Sequence, residues 1–390
     1  MWKRFAGILV CPNCKGELDL ISTEECEVDL KPEQYAKGEL MGIEPSMLNV
    51  YVDSGMLLCN QCKYWFPIRY GMPVLLPFET PLFQEFREKH KEMISENARG
   101  YTPPKESSRP GEEFVLRSFS KEWLKYDYDG VLWGWSYEDR EETLLIEMGV
   151  GKGQAKGVRF LDVGCGLGVT TWIAERNYCV DAVGIDLSLA VLKASEHYKK
   201  NPFLHFAQAS LFKLPIKEDV FDLVYAHGVL HHTYSTREAM EAIATCCTPG
   251  GLTYLWVYGK HGLTDSWDRR LGYFAEKHLR PFLSWAPAWV ATVTLIPVAF
   301  GYIFLNSLFR VRNPKLQRYN FRRALHAARD RFTPLFAHRH SYEEVEGWFK
   351  DFGYEHVEML DWRLVPAVVR ALFRGAVAVR GWKKKKCLEK

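Results

Sequence analysis

The chain has very little net charge. Its 51 Lys and Arg against 48 Asp and Glu leave a formal +3 over 390 residues, too mild a balance to argue for a nucleic-acid partner from charge alone. It also lacks internal repeats and low-complexity tracts beyond a terminal Lys383 to Lys386 run, which reads as a solvated tail. No apolar stretch long enough for a secretory leader follows Met1-Trp2-Lys3-Arg4. The ten cysteines are therefore expected as thiols in a reducing cytoplasm, since disulfide scaffolds belong to short secreted chains. Charged side chains and His are missing from Pro281 to Phe309, a run of 29 residues. What is abundant is aromatic: 14% Phe, Trp and Tyr, with 13 Trp, enough for a ring-rich core or for apolar surface presented to a partner.

This length allows two or three domains and excludes a single small module. Texture divides the chain. Residues 1–78 carry paired Cys-x-x-Cys units and read as a zinc-ribbon-like domain. Residues 79–150 form a linker and an aromatic helical lead-in, and 151–260 alternate β-branched runs with helical stretches, the pattern of βαβ units and a parallel sheet. Strands are expected at Val158 to Val163, Val180 to Asp186, Phe203 to Ala207, Phe221 to Ala226 and Gly251 to Tyr258. Residues 261–335 are an apolar and basic helical insertion. The α/β pattern resumes over 336–390, with a helix from Ser341 to Asp351 and strands at His356 to Leu360 and Ala376 to Gly381.

A strand ending Phe160-Leu161-Asp162 runs into Gly164, Gly166 and Gly168 and then a helix. Backbone without Cβ atoms lets a nucleotide-type ligand approach closely. The dinucleotide spacing G-x-G-x-x-G fails, because Val169 stands at its third glycine. Eighteen residues beyond Gly168, the second strand closes on Asp186, a carboxylate placed to accept from both ribose hydroxyls.

Together with Gly184-Ile185-Asp186, Leu214-Pro215, Phe221-Asp222-Leu223-Val224, Val229-Leu230-His231-His232 and Thr248-Pro249-Gly250-Gly251, this loop resembles the ordered motifs of class I S-adenosylmethionine-dependent methyltransferases, in their small-molecule and lipid branch. The resemblance covers roughly residues 155 to 260 and resumes at 338 to 382. It implies a doubly wound, mostly parallel seven-stranded α/β sheet. It also implies cofactor contacts from Asp162, Gly164, Gly166, Gly168 and Asp186, with Ser210, beside Leu211, at the adenine where many relatives carry Asp.

The sulfonium of such a cofactor is already an activated donor, so alignment and water exclusion suffice and a general base is optional. His227 and His231, just beyond the fourth strand, are the candidates, His227 first. The alternative is that His231 and His232 start the next helix and pack or cap there. Cys165 between glycines reads as a small filler.

Cys11-Pro12-Asn13-Cys14 and Cys59-Asn60-Gln61-Cys62 offer four thiolates to one tetrahedral zinc, with Cys26 a fifth candidate. Four thiolates leave no open position, so such a zinc is structural. The segment that follows is similar to zinc ribbons fused to or partnered with methyltransferases.

The 29-residue uncharged run is long enough to span a bilayer, yet strands before and after it belong to one sheet, which excludes a single crossing. A hairpin broken at Pro297 would have arms of roughly 20 to 24 Å, short of the ~30 Å hydrocarbon core. Basic flanks at Arg269, Arg270, Lys277 and Arg280, then Arg310, Arg312, Lys315, Arg318, Arg322 and Arg323, favour anionic headgroups. These features predict peripheral contact with a cytoplasmic membrane face and an amphiphilic or small-molecule acceptor, with nucleic acid not favoured. Competing readings are an RNA methyltransferase whose ribbon positions its substrate, and a non-catalytic scaffold. The Asn-Pro-Pro-Tyr base-methylating motif is absent after the fourth strand.

Overall fold

The computed structural model describes all residues except 126–127, 129–130, 133–134, 156, 179–180, 261–266, 313–317 and 386–390. Val180, Lys315 and Lys386 of the expectations above, and Tyr126, Trp133 and Gly134 of the aromatic lead-in, thus lie outside the described residues, as do the side chains of Arg269 and Arg312.

The amino-terminal strands are β1 (Leu18–Glu27), β2 (Val50–Cys59), β3 (Tyr64–Arg69) and β4 (Met72–Leu75), an antiparallel meander. A two-stranded ribbon, β5 (Val131–Leu132) and β6 (Trp135–Ser136), precedes the central strands β7 (Arg159–Val163), β8 (Asp181–Asp186), β9 (Leu204–Ala209), β10 (Phe221–His227) and β11 (Cys247–Tyr258). The last strands are β12 (Tyr354–Met359) and β13 (Ala376–Lys383). Strands β9, β8, β7, β10 and β11 are parallel neighbours, and β13 runs antiparallel between β11 and β12. Buried on both faces, the central strands read as nearly unbroken apolar runs such as Phe160-Leu161 and Ala182-Val183.

One feature was not visible in the sequence. Strand β4 pairs in parallel with β9, Val74 opposite Gln208 and Leu75 opposite Ala209, so the meander and the seven-stranded core form one eleven-stranded sheet. Arg4 seals the joint, its guanidinium 2.5 and 2.8 Å from the two oxygens of Asp181, which also lies 2.9 Å from His205 Nε2. Burial penalises the Asp181 charge, but His205 and Arg4 outweigh it and hold the carboxyl well below its ordinary range.

The insertion comprises helices Trp267–Leu283, Ala288–Arg312 and Phe321–Phe332, with a small core of Leu283, Ala291, Leu295, Ala328 and Phe332. The predicted break at Pro297 is corrected: Pro297 lies inside one 25-residue helix, and the turn falls at 284–287. Proline removes one backbone hydrogen bond, a cost that the packing of Ala291 and Leu295 against the neighbouring helix offsets. Ala288–Leu308 is long and apolar enough to cross a membrane by length and composition, and Trp289, Phe300 and Phe304 face outward. Lys383 does not belong to a solvated tail. It ends β13, and its ammonium bonds Asp219 and the carbonyls of Ala244 and Cys247 at 3.1, 2.9 and 2.7 Å.

Candidate functional site

A cavity of about 470 Å³ opens at the carboxyl ends of β7, β8, β9 and β10, where open α/β sheets bind ligands. The backbone of Gly164, Gly166 and Gly168 is left-handed there, with φ of +72°, +53° and +73°. Gly164, Cys165, Gly166 and Leu167 line the cavity. Gly168 does not; a Cβ there would lie 2.6 Å from the Phe206 ring, so its glycine serves close packing of helix on strand.

Asp162 is buried and accepts from the Thr171 hydroxyl at 2.7 Å; burial pushes its carboxyl up to about 6. Asp186 accepts from Gly166 N–H at 2.8 Å and Ser188 N–H at 2.7 Å. These two bonds hold the carboxylate across the loop and leave it lone pairs for ribose hydroxyls. Burial raises Asp186 as well. The residues present fit S-adenosylmethionine: a glycine cradle without Cβ atoms, one carboxylate for an amino group and one for a ribose.

Ser210, expected at the adenine, is buried and does not line the cavity, while its neighbours Ala209 and Leu211 do. Its oxygen accepts from Phe212 N–H at 3.2 Å, and its hydroxyl bonds Glu112.

Beyond the loop, His227 Nδ1 lies 2.7 Å from Glu147 Oε1. Glu147 is fully buried and also accepts from the hydroxyls of Tyr225 and Tyr254 at 2.7 and 2.9 Å. Arg140 stands beside it, bonded to Tyr225 and, at 3.1 Å, to Thr170. Burial disfavours the Glu147 charge, yet His227 and Arg140 prevail and keep it ionised. Burial lowers His227 below the ordinary histidine range. With Nδ1 committed to Glu147, Nε2 is the nitrogen left for a ligand in the cavity that His227 lines.

His231 also lines the cavity, but among the described residues neither ring nitrogen has a hydrogen-bond partner, and its ring packs 4.0 Å from that of Tyr258. Burial holds it far below the ordinary histidine range. His231 and His232 sit in a short turn, Leu230–His232, ahead of the helix Thr236–Cys246, which Ser235 caps instead. The lead-in helix Glu112–Trp123 lies over the cavity, to which Glu112, Phe119 and Trp123 contribute. Sequence reading missed Glu112, Arg140, Glu147 and Asp330. They lie outside the motif blocks, and only the fold brings them to the strand ends.

In the amino-terminal meander, the sulfurs of Cys11, Cys14, Cys59 and Cys62 lie within 4.8 Å of one another. Each Cys-x-x-Cys turn closes on a left-handed lysine, Lys15 or Lys63, whose N–H bonds the carbonyl of the first cysteine at 2.9 Å. Four soft ligands at this separation suit one tetrahedral zinc. Cys26 is exposed on β1, outside the cluster.

Residues 161–255 match the model of a methyltransferase domain. The chain carries a class I methyltransferase domain. Residues 3–71 match the Trm112p-like protein model, so this domain is fused to a ribbon of that type. Among curated relatives, the methyltransferase chain is 32% identical over 144 residues to O-methyltransferase cnsE of Penicillium expansum, covering 34% of this chain and 52% of the relative. It is 38% identical over 102 residues to tRNA U34 carboxymethyltransferase of Azotobacter vinelandii, covering 25% and 31%. The chain thus spans 31% to 52% of the length of these relatives. A Haloferax volcanii Trm112 methyltransferase activator complex is similar in structure, at 15% identity and a TM-score of 0.41 over 71% of this chain and 100% of that one.

These matches correct the partner expectation. An amphiphilic or small-molecule acceptor, with membrane contact through 281–309 and nucleic acid not favoured, is overturned by relatives whose names specify tRNA and by the Trm112p-like ribbon. Net charge misled because +3 averages over clusters: Arg318 and Arg322 are exposed and Arg323 is half-buried along one stretch of the insertion.

Proposed function

We propose that this chain is a cytoplasmic enzyme that transfers a methyl-type group from S-adenosylmethionine or a derivative to a nucleoside of RNA, with His227 as general base. The observation that carries this reading is the recurrence of tRNA U34 carboxymethyltransferases among the relatives. Three features of the molecule support it. The cavity is walled by flat rings, among them Trp123, Trp256, Tyr258 and Phe336, which suit a base taken out of its stack. Exposed arginines near Tyr319, itself on the cavity wall, suit phosphates. The ribbon shares a sheet with the cofactor domain, so anything it holds has a defined position relative to the cavity.

The bound cofactor supplies an activated methyl on a sulfonium. The chain's own residues do the rest: Asp186 and the glycine loop orient, the lead-in helix excludes water, and His227 Nε2 takes the acceptor's proton while Glu147 holds Nδ1. Incubation with cofactor labelled in the transferable group, and with separated cell RNA, protein and small-molecule extract, tests this. Label in tRNA is expected. Label confined to the small-molecule fraction sinks the RNA reading. His227→Gln should lower kcat by about 10² to 10⁴ with cofactor affinity unchanged; equal kcat would remove the base assignment.

A further inference from the structure

The adenine end of the cavity lacks the carboxylate that its position invites. The ribose carboxylate Asp186 sits at the tip of β8, opposite Gln208 of β9. A base attached to that ribose therefore reaches the tip of β9, where Ala209 and Leu211 form the wall and Ser210 stands between them. The Ser210 oxygen already accepts from Phe212 N–H, and its proton goes to Glu112. It has little left for an exocyclic amino group.

Glu112 comes from elsewhere in the chain, the first turn of the lead-in helix, yet it is 5% exposed and lines the same cavity. One oxygen accepts from Arg109 N–H at 2.9 Å. A carboxylate offers about four acceptor sites, so two bonds leave it able to take another N–H. Its surroundings are apolar, Leu187, Leu211 and Phe212 among them, and burial pushes its carboxyl up. Among the described residues, no cation forms an ion pair with it, Arg109 being the nearest charge that favours its ionised form. A buried carboxylate in that state gains most from an N–H donor that arrives dry.

We propose that Glu112 is the adenine-recognition residue of this chain, reaching from the lead-in helix through the space beside Ser210 to accept a hydrogen bond from the cofactor's exocyclic amino group. The inference rests on the adenosyl cofactor reading and adds to it a coupling. The helix that covers the cavity also holds the far end of the ligand, so cofactor binding and closure of the acceptor site are one event. Phe119 and Trp123, on the same helix, also line the cavity.

Calorimetry on the full chain tests this with two probes, S-adenosylhomocysteine and its inosine analogue, in which a carbonyl oxygen replaces the amino group. The parent should prefer the adenosyl ligand. Glu112→Ala should bind it about tenfold more weakly and lose the preference. Adding Ser210→Asp to that variant returns a carboxylate from the neighbouring position and should restore both affinity and preference. A purely structural role for Glu112 predicts that both ligands weaken together and that the second substitution rescues neither, which would overturn the proposal. So would unchanged binding in Glu112→Ala. A parent that binds neither probe would instead bring down the cofactor reading itself.

Discussion

At the scale of single residues, burial sets the titration of Asp162, His231 and His232, while charged neighbours overcome it at Glu147. His232 shows the consequence for stability. Its Nδ1 lies 2.7 Å from the Phe336 carbonyl, and burial takes the ring down to about 4. An unfolded histidine titrates near 6.5, so the unfolded chain binds the proton first as pH falls. The folded state then loses stability from about pH 6.5 down to about 4, below which both states are protonated. His232→Phe should be less stable than the parent at pH 7, having lost a hydrogen bond worth about 1 kcal/mol. That deficit should shrink or reverse at pH 5, read as urea midpoints at the two values. A deficit independent of pH would mean that His232 is not held neutral. Legibility at this scale followed locality. Asp162, Gly164, Gly166 and Asp186 could be read from the loop and the strand after it, since turn and carboxylate lie within one βαβ unit. Glu112, Arg140 and Asp330 could not, because each reaches the cavity across a tertiary contact. Asp330, raised by burial to about 7, comes from the insertion helix Phe321–Phe332.

Among the secondary-structure elements, the ribbon and the core were legible separately, one from cysteine spacing, the other from alternating apolar runs. Their union was not. Four residues of β4 carry no signal of a parallel partner more than a hundred residues away, and the pairing with β9 follows only once both edges exist. The consequence is testable. If zinc organises the two knuckles, chelation or Cys59→Ser should release the meander and expose the edge of β9, next to the adenine end of the cavity. Cofactor affinity should fall along with the thermal midpoint, by a margin that added zinc restores in the parent but not in the variant. A midpoint insensitive to chelator and to Cys59→Ser would show that the cysteines pack without metal.

For the whole molecule, Glu276 clasps the insertion onto the core. Glu276 is 1% exposed and meets Arg280 at 2.6 Å, Arg331 at 2.9 Å and Arg339 at 2.7 Å. Arg339 also lies over the Tyr258 ring at the end of β11, which ties the clasp to the sheet. Removing the charge leaves three arginines crowded around a neutral group. Glu276→Gln should cost about 3 kcal/mol or more, and limited proteolysis should cut the insertion before the core. Equal cleavage rates would show that apolar packing alone seats it. Local order alone, then, set the βαβ alternation, the glycine loop with its ribose carboxylate and the paired thiols, because each depends on neighbours within about thirty residues. The joining of ribbon to core, the Glu147 hold on His227, the supply of Glu112 to the adenine end and the seating of the insertion were decided only by the tertiary structure. Each of these needs a buried partner distant in sequence, and composition averaged over the chain cannot see where such partners meet.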